Sequence, residues 1–422
     1  MSKFSAVLKS KVAKNGFWMI LLQGFNTIIP LITLPYITRI LSKSIYGEFS
    51  VSLNWIGYFQ VVVEYGFGLT GARRAALNRK KEDLNNVHSS IICARLILLV
   101  LCIVIFGTVI LLINVAKTQI ICMLILFFMV FSIAFQQNWF FQGIAEMKNI
   151  AIINVVSRSI SVILIFLLVK SPNDLYLYCV LYVSNYFIST LFGLIIVRRR
   201  YKIRFIKPSL KIICKELVEG WPLFISLAMT KIFANIGITI LDVISTKESV
   251  GVYSAISKIP YVLSLLFAAI AQAIYPFMCN SFSLSFKSGL MKARKYAVPI
   301  LAFFALGGMV IIFANKKIVH IVFGSDYTEC STLLIPFVIW VLFGIINNFL
   351  GVQVLVASGH QKEYSKAFSV SVIIMIGLML ILGKLYEAYG IAYASMFSEM
   401  MLTLLLIYFI KKITKADERK EL

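Results

Sequence analysis

Apolar runs of 18 to 25 residues recur along the whole of this 422-residue chain, separated by short polar segments. A run of that length carries an α-helix across roughly 30 Å of hydrocarbon, where a helix satisfies its own backbone groups. With 60% hydrophobic and only 14% charged residues, the chain lacks the polar surface that a water-soluble domain needs. The fold class that follows is an all-α polytopic membrane protein. Hydropathy and breaker residues place a first set of spans at 15–38, 46–68, 89–113, 119–141, 150–169 and 175–197. A second set falls at 217–241, 250–280, 296–314, 331–355, 366–384 and 390–410, which makes twelve. Pro260 and Pro276 predict that the eighth span is kinked or partly interfacial. The first apolar run exceeds the roughly 7–15-residue core of a signal peptide and precedes no small-x-small cleavage pattern, so it reads as a transmembrane helix.

The formal net charge is +23, and the positions of the cations explain it. With the N-terminus placed in the cytoplasm, the inside segments hold 29 Lys and Arg residues and the outside segments hold 8. That asymmetry predicts a multi-pass protein with both termini cytoplasmic, its basic loops facing anionic lipid, and it leaves no need for a nucleic-acid partner. The expected organisation is a six-helix lobe over 1–200, a basic cytoplasmic linker over 201–216, a second six-helix lobe over 217–411 and a tail over 412–422. The linker belongs to the stretch RRRYKIRFIKPSLKIICKELVEG, which reads as lying on the membrane surface. Seven scattered cysteines without a C-x-x-C pair read as packing residues, and three separated histidines show no H-E-x-x-H spacing, so no metal site is expected. The chain has no G-x-x-x-x-G-K-[ST] phosphate loop and no large outside loop with clustered acids or histidines, which argues against an ATP-driven motor and against catalysis.

An offset of 204 residues relates the two halves. Gly16 and Gly47 stand 31 apart at the start of spans one and two, and Gly220 and Gly251 stand 31 apart at the start of spans seven and eight. Six spans per repeat keep the copies in the same orientation, so the lobes are expected to be related by a pseudo-two-fold along the membrane normal, with substrate taken at their interface. Under this offset Thr27 corresponds to Lys231 and Asn54 to Lys258, which puts charge in the second half where the first has neutral polar groups.

Ionisable residues at membrane depth cost at least about 2.5–3.5 kcal/mol each, so each is a functional candidate. Lys231 and Arg158 lie too deep to reach the headgroups easily and read as lining a water-filled cavity; a buried ion pair is the alternative. Arg95 either snorkels to the headgroups or joins the same cavity, and Lys258 precedes Pro260 in span eight. Four bases make that cavity cationic and suited to an anionic substrate. Gln23 and Asn26 share one face of span one with Thr27, and Asn54 and Gln60 add amides in span two. Amides beside aromatic rings are the chemistry that holds sugars. The run QQNWFFQG (136–143) fits that chemistry and equally fits an interfacial aromatic belt. Glu64, Asp242 and Glu399 are the acids placed to couple transport to protons or sodium ions. Pro30 and Pro35 interrupt span one and read either as a hinge or as packing-driven curvature.

The segments PLITLPYITRILSKSIYGEFS (30–50), EYGFGLTGARRAA (64–76) and QQNWFFQGIAEMK (136–148) closely resemble the bacterial O-antigen and capsular-polysaccharide flippases. These form the polysaccharide transporter family of the multidrug/oligosaccharidyl-lipid/polysaccharide exporter superfamily. The resemblance extends over essentially the whole chain, including VGVYSAISKI and AQAIYPFM in the second half. It implies an inner-membrane translocase, not an enzyme, that carries undecaprenyl-pyrophosphate-linked oligosaccharide from the cytoplasmic to the periplasmic leaflet. It further implies alternating access, an H+ or Na+ gradient in place of a bound cofactor, and a polysaccharide polymerase and chain-length regulator as partners. The alternatives are a multidrug or cation extruder of the same superfamily, which should carry an acidic site, and a membrane-bound polysaccharide polymerase, which should carry a large periplasmic loop.

Overall fold

The computed structural model describes residues 11–77, 80–112 and 115–421. The N-terminal residues 1–10, counted above with the cytoplasmic segments, lie outside it. The chain divides into two compact units, residues 1–236 and 237–422.

The first unit begins with α1 (Lys11–Ile40) and α2 (Lys43–Glu64). Pro30 and Pro35 both lie inside α1, which continues through them. Ser42 starts α2 by accepting a hydrogen bond from the Ile45 amide at 3.3 Å, an N-cap that satisfies one of the helix's free donors. Tyr65 and Gly66 end it with φ values of 49° and 81°, and glycine adopts the second of these without strain. The short α3 (Phe67–Leu77) follows where the sequence reading expects a cytoplasmic loop. Then come α4 (Lys81–Leu112), α5 (Lys117–Phe135), α6 (Asn138–Gly143), α7 (Met147–Leu168) and α8 (Leu175–Arg199). The long α9 (Leu210–Ile244) carries the chain from the first unit into the second.

The second unit contains α10 (Lys247–Ile256), α11 (Lys258–Phe282), α12 (Phe286–Phe313) and α13 (Asn315–Phe323). The predicted break in span eight falls at Ser257, and Pro260 sits in the first turn of α11, where a proline costs no helical hydrogen bond. Next is α14 (Leu334–Asn347), which continues as a π-helical stretch over Asn348–Val356. The final α15 (Gln361–Glu421) leaves helical geometry at Glu387 (φ 49°, ψ −124°) and so forms two arms, 361–386 and 388–421. Ser371 and Ser398 join the arms, each hydroxyl donating to the other's main-chain carbonyl at 2.9 Å. Small hydroxyl residues allow the close approach that membrane helices rely on.

Among the described residues, ten helical stretches are long and apolar enough to span a membrane. The last of these is the two-armed α15, and α2, made more polar by Asn54, Gln60 and its serines, supplies one further crossing. The chain is thus an all-α polytopic membrane protein of about twelve transmembrane helices. The 204-residue offset reappears in its helix caps. Thr246 accepts from the Ser249 amide at 3.3 Å to start α10, matching Ser42 and Ile45 at the start of α2.

The run QQNWFFQG is neither a sugar platform nor an interfacial belt. Trp139, Phe140 and Phe141 are each at most 1% exposed and fill the core at one end of the first unit. Small residues of α3 receive them. A Cβ placed on Gly71 would come 2.9 Å from the Trp139 ring, and one placed on Gly143 would come 2.5 Å from Ala75 Cβ and 2.6 Å from the Ala72 carbonyl. The segments GLTGARRAA and QQNWFFQG therefore form one packing joint. Gly143→Val should overpack this joint and destabilise the protein by about 1–3 kcal/mol. Gly307→Val, where no atom lies within 4 Å of the added Cβ, should change stability far less in the same thermal-unfolding measurement in detergent.

Candidate functional site

Four cations sit at membrane depth, and the structure gives them different work. Arg95 is 3% exposed and does not snorkel. Its Nη1 donates to the carbonyls of Ile133 (3.1 Å) and Gln136 (2.9 Å), the last turn of α5, and its guanidinium stands 5.8 Å from the Phe67 ring. A helix end leaves carbonyls without partners and carries partial negative charge, so a buried arginine there is held by both effects. Lys258 is the exposed first residue of α11.

Arg158 and Lys231 are arranged otherwise. Arg158 donates to Asn26 Oδ1 at 2.7 Å, which joins α7 to α1. Tyr178, Tyr182 and Tyr186, spaced by four on α8, form a ladder with successive ring centroids 6.1 and 6.2 Å apart, and Tyr182 and Tyr186 lie within electrostatic reach of Arg158. The tyrosines were not among the sequence candidates, although their (i, i+4) repeat is legible in LYLYCVLYVSNY. Pro30 lacks a backbone donor, so the carbonyl of Asn26, four residues earlier, loses its helical partner beside the arginine. Lys231 on α9 lies against the α2 backbone, where a Cβ on Gly57 would meet its Cε at 2.7 Å and its Nζ at 2.8 Å. Among the described residues, neither Arg158 nor Lys231 has a carboxylate within 4.0 Å. The first unit thus presents two cations at membrane depth, amides from α1 and α2, and a row of phenol rings.

The other candidates divide by burial and partners. Gln23 is exposed, and its carbonyl accepts from the Thr27 hydroxyl at 2.9 Å. Asn54 is buried and Gln60 half-buried on α2. Glu64 is the exposed last residue of α2, and Asp242 forms an ion pair with Lys247. Glu399 in the second unit is half-buried. Asn347 Nδ2 donates to its carboxylate at 2.5 Å and to its main-chain carbonyl at 2.9 Å, and the Thr403 hydroxyl donates to Asn347 Oδ1 at 2.6 Å. This network sits where α14 widens into its π-helical stretch, a form that often marks functional positions.

One acid escaped the sequence reading. Glu216, at the end of the basic segment, is 1% exposed; it pairs with Arg74 and accepts from the Ser90 hydroxyl at 2.7 Å. Its signal was its position, as the first acid after eight Lys and Arg residues in 198–215. The same segment is pinned to α4, with the Arg204 amide donating to Asn85 Oδ1 and the Ile206 amide to Ser89 Oγ, both at 2.9 Å.

The fold and this arrangement of charge define a multi-pass helical membrane protein of the kind that handles polar cargo inside a bilayer. The family described as "Polysaccharide biosynthesis protein" matches residues 12–282, and the chain belongs to it. Two curated relatives carry the name "Putative O-antigen transporter". One, from Shigella dysenteriae, is 26% identical over 94% of this chain and 100% of its own length. The other, from Escherichia coli (strain K12), is 25% identical over 96% of this chain and 97% of its own. Among solved structures, the lipid II flippase MurJ in an inward closed conformation matches with a TM-score of 0.72 and 16% identity, over 94% of this chain and 87% of that one. An inward-facing MATE family multidrug resistance transporter matches at 0.62 and 13%, over 92% and 99%. These two likenesses establish the fold that the chains share.

The Arg74–Glu216 pair yields a stability test. Arg74→Met leaves the Glu216 charge buried without its cation and should cost about 3–5 kcal/mol, while Arg74→Met with Glu216→Gln should recover most of that loss in thermal unfolding.

Proposed function

We propose that this protein is a flippase for undecaprenyl-pyrophosphate-linked oligosaccharide, the repeat unit of an O-antigen or capsule. It would act in the bacterial inner membrane with both termini in the cytoplasm, moving its cargo to the periplasmic leaflet by alternating access. The observation that carries this reading is the pair Arg158 and Lys231, two membrane-depth cations with no carboxylate within 4.0 Å among the described residues, in a unit that also offers amides and phenol rings. An anionic pyrophosphate balances such charge, and sugar hydroxyls and C–H faces suit the amides and rings. Family membership and the relatives' printed names support the same substrate class.

The residues then take distinct roles. Arg158 and Lys231 contact the pyrophosphate or an acidic sugar; Gln23, Asn26, Asn54 and Gln60 contact sugar, with Tyr182 and Tyr186 as ring faces. Arg95 fixes the end of α5 and acts through position, and Lys258 serves the cargo as a peripheral cation. Glu399, half-buried and hydrogen-bonded by Asn347 beside a π-helical stretch, is the foremost coupling group for an H+ or Na+ gradient, ahead of the ion-paired Asp242 and the exposed Glu64. Pro30 and Pro35 loosen α1 next to Asn26 and serve as its hinge. A polymerase and a chain-length regulator would take up the delivered units.

Arg158→Ala and Lys231→Ala should each lower surface polysaccharide at least about tenfold in a strain that depends on this gene, with protein level unchanged. Arg158→Lys should retain part of the activity. Full activity of both alanine variants at normal expression would remove the two cations from the transport path.

A further inference from the structure

A cationic pocket of about 700 Å³ lies in the first unit, where α8 ends and α4 begins, and Lys81, Arg198, Lys202 and Arg204 line it. Among the described residues, none of these four has a carboxylate within 4.0 Å. Glu82 and Asp83 occupy the same first turn of α4 as Lys81 but do not line the cavity. Leu194, Val197 and Phe205 form its apolar wall, and His88 completes it.

The wall is built into the fold. Two main-chain amides of the linker, those of Arg204 and Ile206, are hydrogen-bonded to side chains of α4 at 2.9 Å. Lys202 is held with φ at 51°, a left-handed conformation that a lysine rarely adopts. Main-chain amides cap part of the α8 terminus. The amides of Arg200 and Ile203 donate to the carbonyls of Ile196 (2.9 Å) and Val197 (3.3 Å). Beyond the cavity, α8 exposes Phe187, Leu191 and Ile195 at hydrocarbon depth.

We propose that this cavity binds the phosphate-bearing headgroup of a membrane lipid, with its chains laid along the exposed face of α8. Basic pockets between transmembrane helices at the membrane surface recognise anionic headgroups in this way. The chemistry fits a phosphodiester of the bulk bilayer and equally a lipid-linked pyrophosphate approaching the transporter. The site is separate from Arg158 and Lys231, and its test measures binding alone, so its failure would leave the flippase reading standing.

The full chain, purified in detergent, is offered phosphatidylglycerol, phosphatidylcholine or undecaprenyl pyrophosphate, and retained lipid is counted by native mass spectrometry. Retention of phosphatidylglycerol at least about threefold above phosphatidylcholine, reduced to parity by Lys81→Gln/Arg198→Gln/Lys202→Gln/Arg204→Gln, supports the site with bulk lipid as its source. The same selective, variant-sensitive retention of undecaprenyl pyrophosphate supports it with the carrier lipid as its source. Equal retention of all three lipids by the unaltered protein overturns the proposal without recourse to a variant. Selective retention that survives in a folded variant, its fold checked by thermal unfolding, overturns it too.

Discussion

The first unit turns on one buried arginine. Span four is broken at Gln136, and inside a membrane protein the carbonyls exposed by such a break need donors. Arg95 supplies them from α4, binding the carbonyls of Ile133 and Gln136. With the end of α5 closed, α6 can turn aside and place Trp139, Phe140 and Phe141 in the core against the small residues of α3. The same end of the unit holds Glu216 between Arg74 and Ser90, and the linker strung along α4. A substitution of Arg95 would remove both donors from the end of α5 and unsettle this whole joint.

Against that background, Arg158 and Lys231 differ in kind. Arg95 has its hydrogen bonds taken by backbone carbonyls, whereas Arg158 is positioned by one neutral amide and Lys231 lies against the glycine backbone of α2. Neutral partners position a cation without cancelling its charge, which leaves it available to an anion. Carriers that must release their cargo benefit from this arrangement, because a site without fixed carboxylates has no internal anion to compete. The half-buried Glu399 in the second unit shows a different design, an acid whose carboxylate accepts from Asn347 next to a helix that changes its winding.

Much of the fold was legible in the sequence because span length and hydropathy are imposed by the bilayer. The caps Ser42 and Thr246 repeat at the offset that the glycines had marked. Side-chain direction was less legible. QQNWFFQG has the composition of a sugar platform, and only the small residues of α3, close in space, show why its rings turn inward. The third helix, Phe67–Leu77, was hidden because its hydrophobic face answers to a protein neighbour and not to lipid. Glu216 was hidden by its basic surroundings, which read as a solvated linker until Arg74 and Ser90 came together around it. The tyrosine ladder on α8 was missed because its spacing lay inside an apolar run that hydropathy had already explained.

Reconstitution gives the plainest test of whether the protein moves a lipid-linked anionic oligosaccharide between leaflets. The purified protein is placed in proteoliposomes that carry a fluorescent undecaprenyl-pyrophosphate oligosaccharide in one leaflet, with an imposed proton or sodium gradient and a membrane-impermeant quencher outside. A flippase gives protein-dependent transfer to the opposite leaflet, well above that in protein-free vesicles. Transfer no faster than in protein-free vesicles, under either gradient and with folded protein confirmed, would contradict the flippase reading.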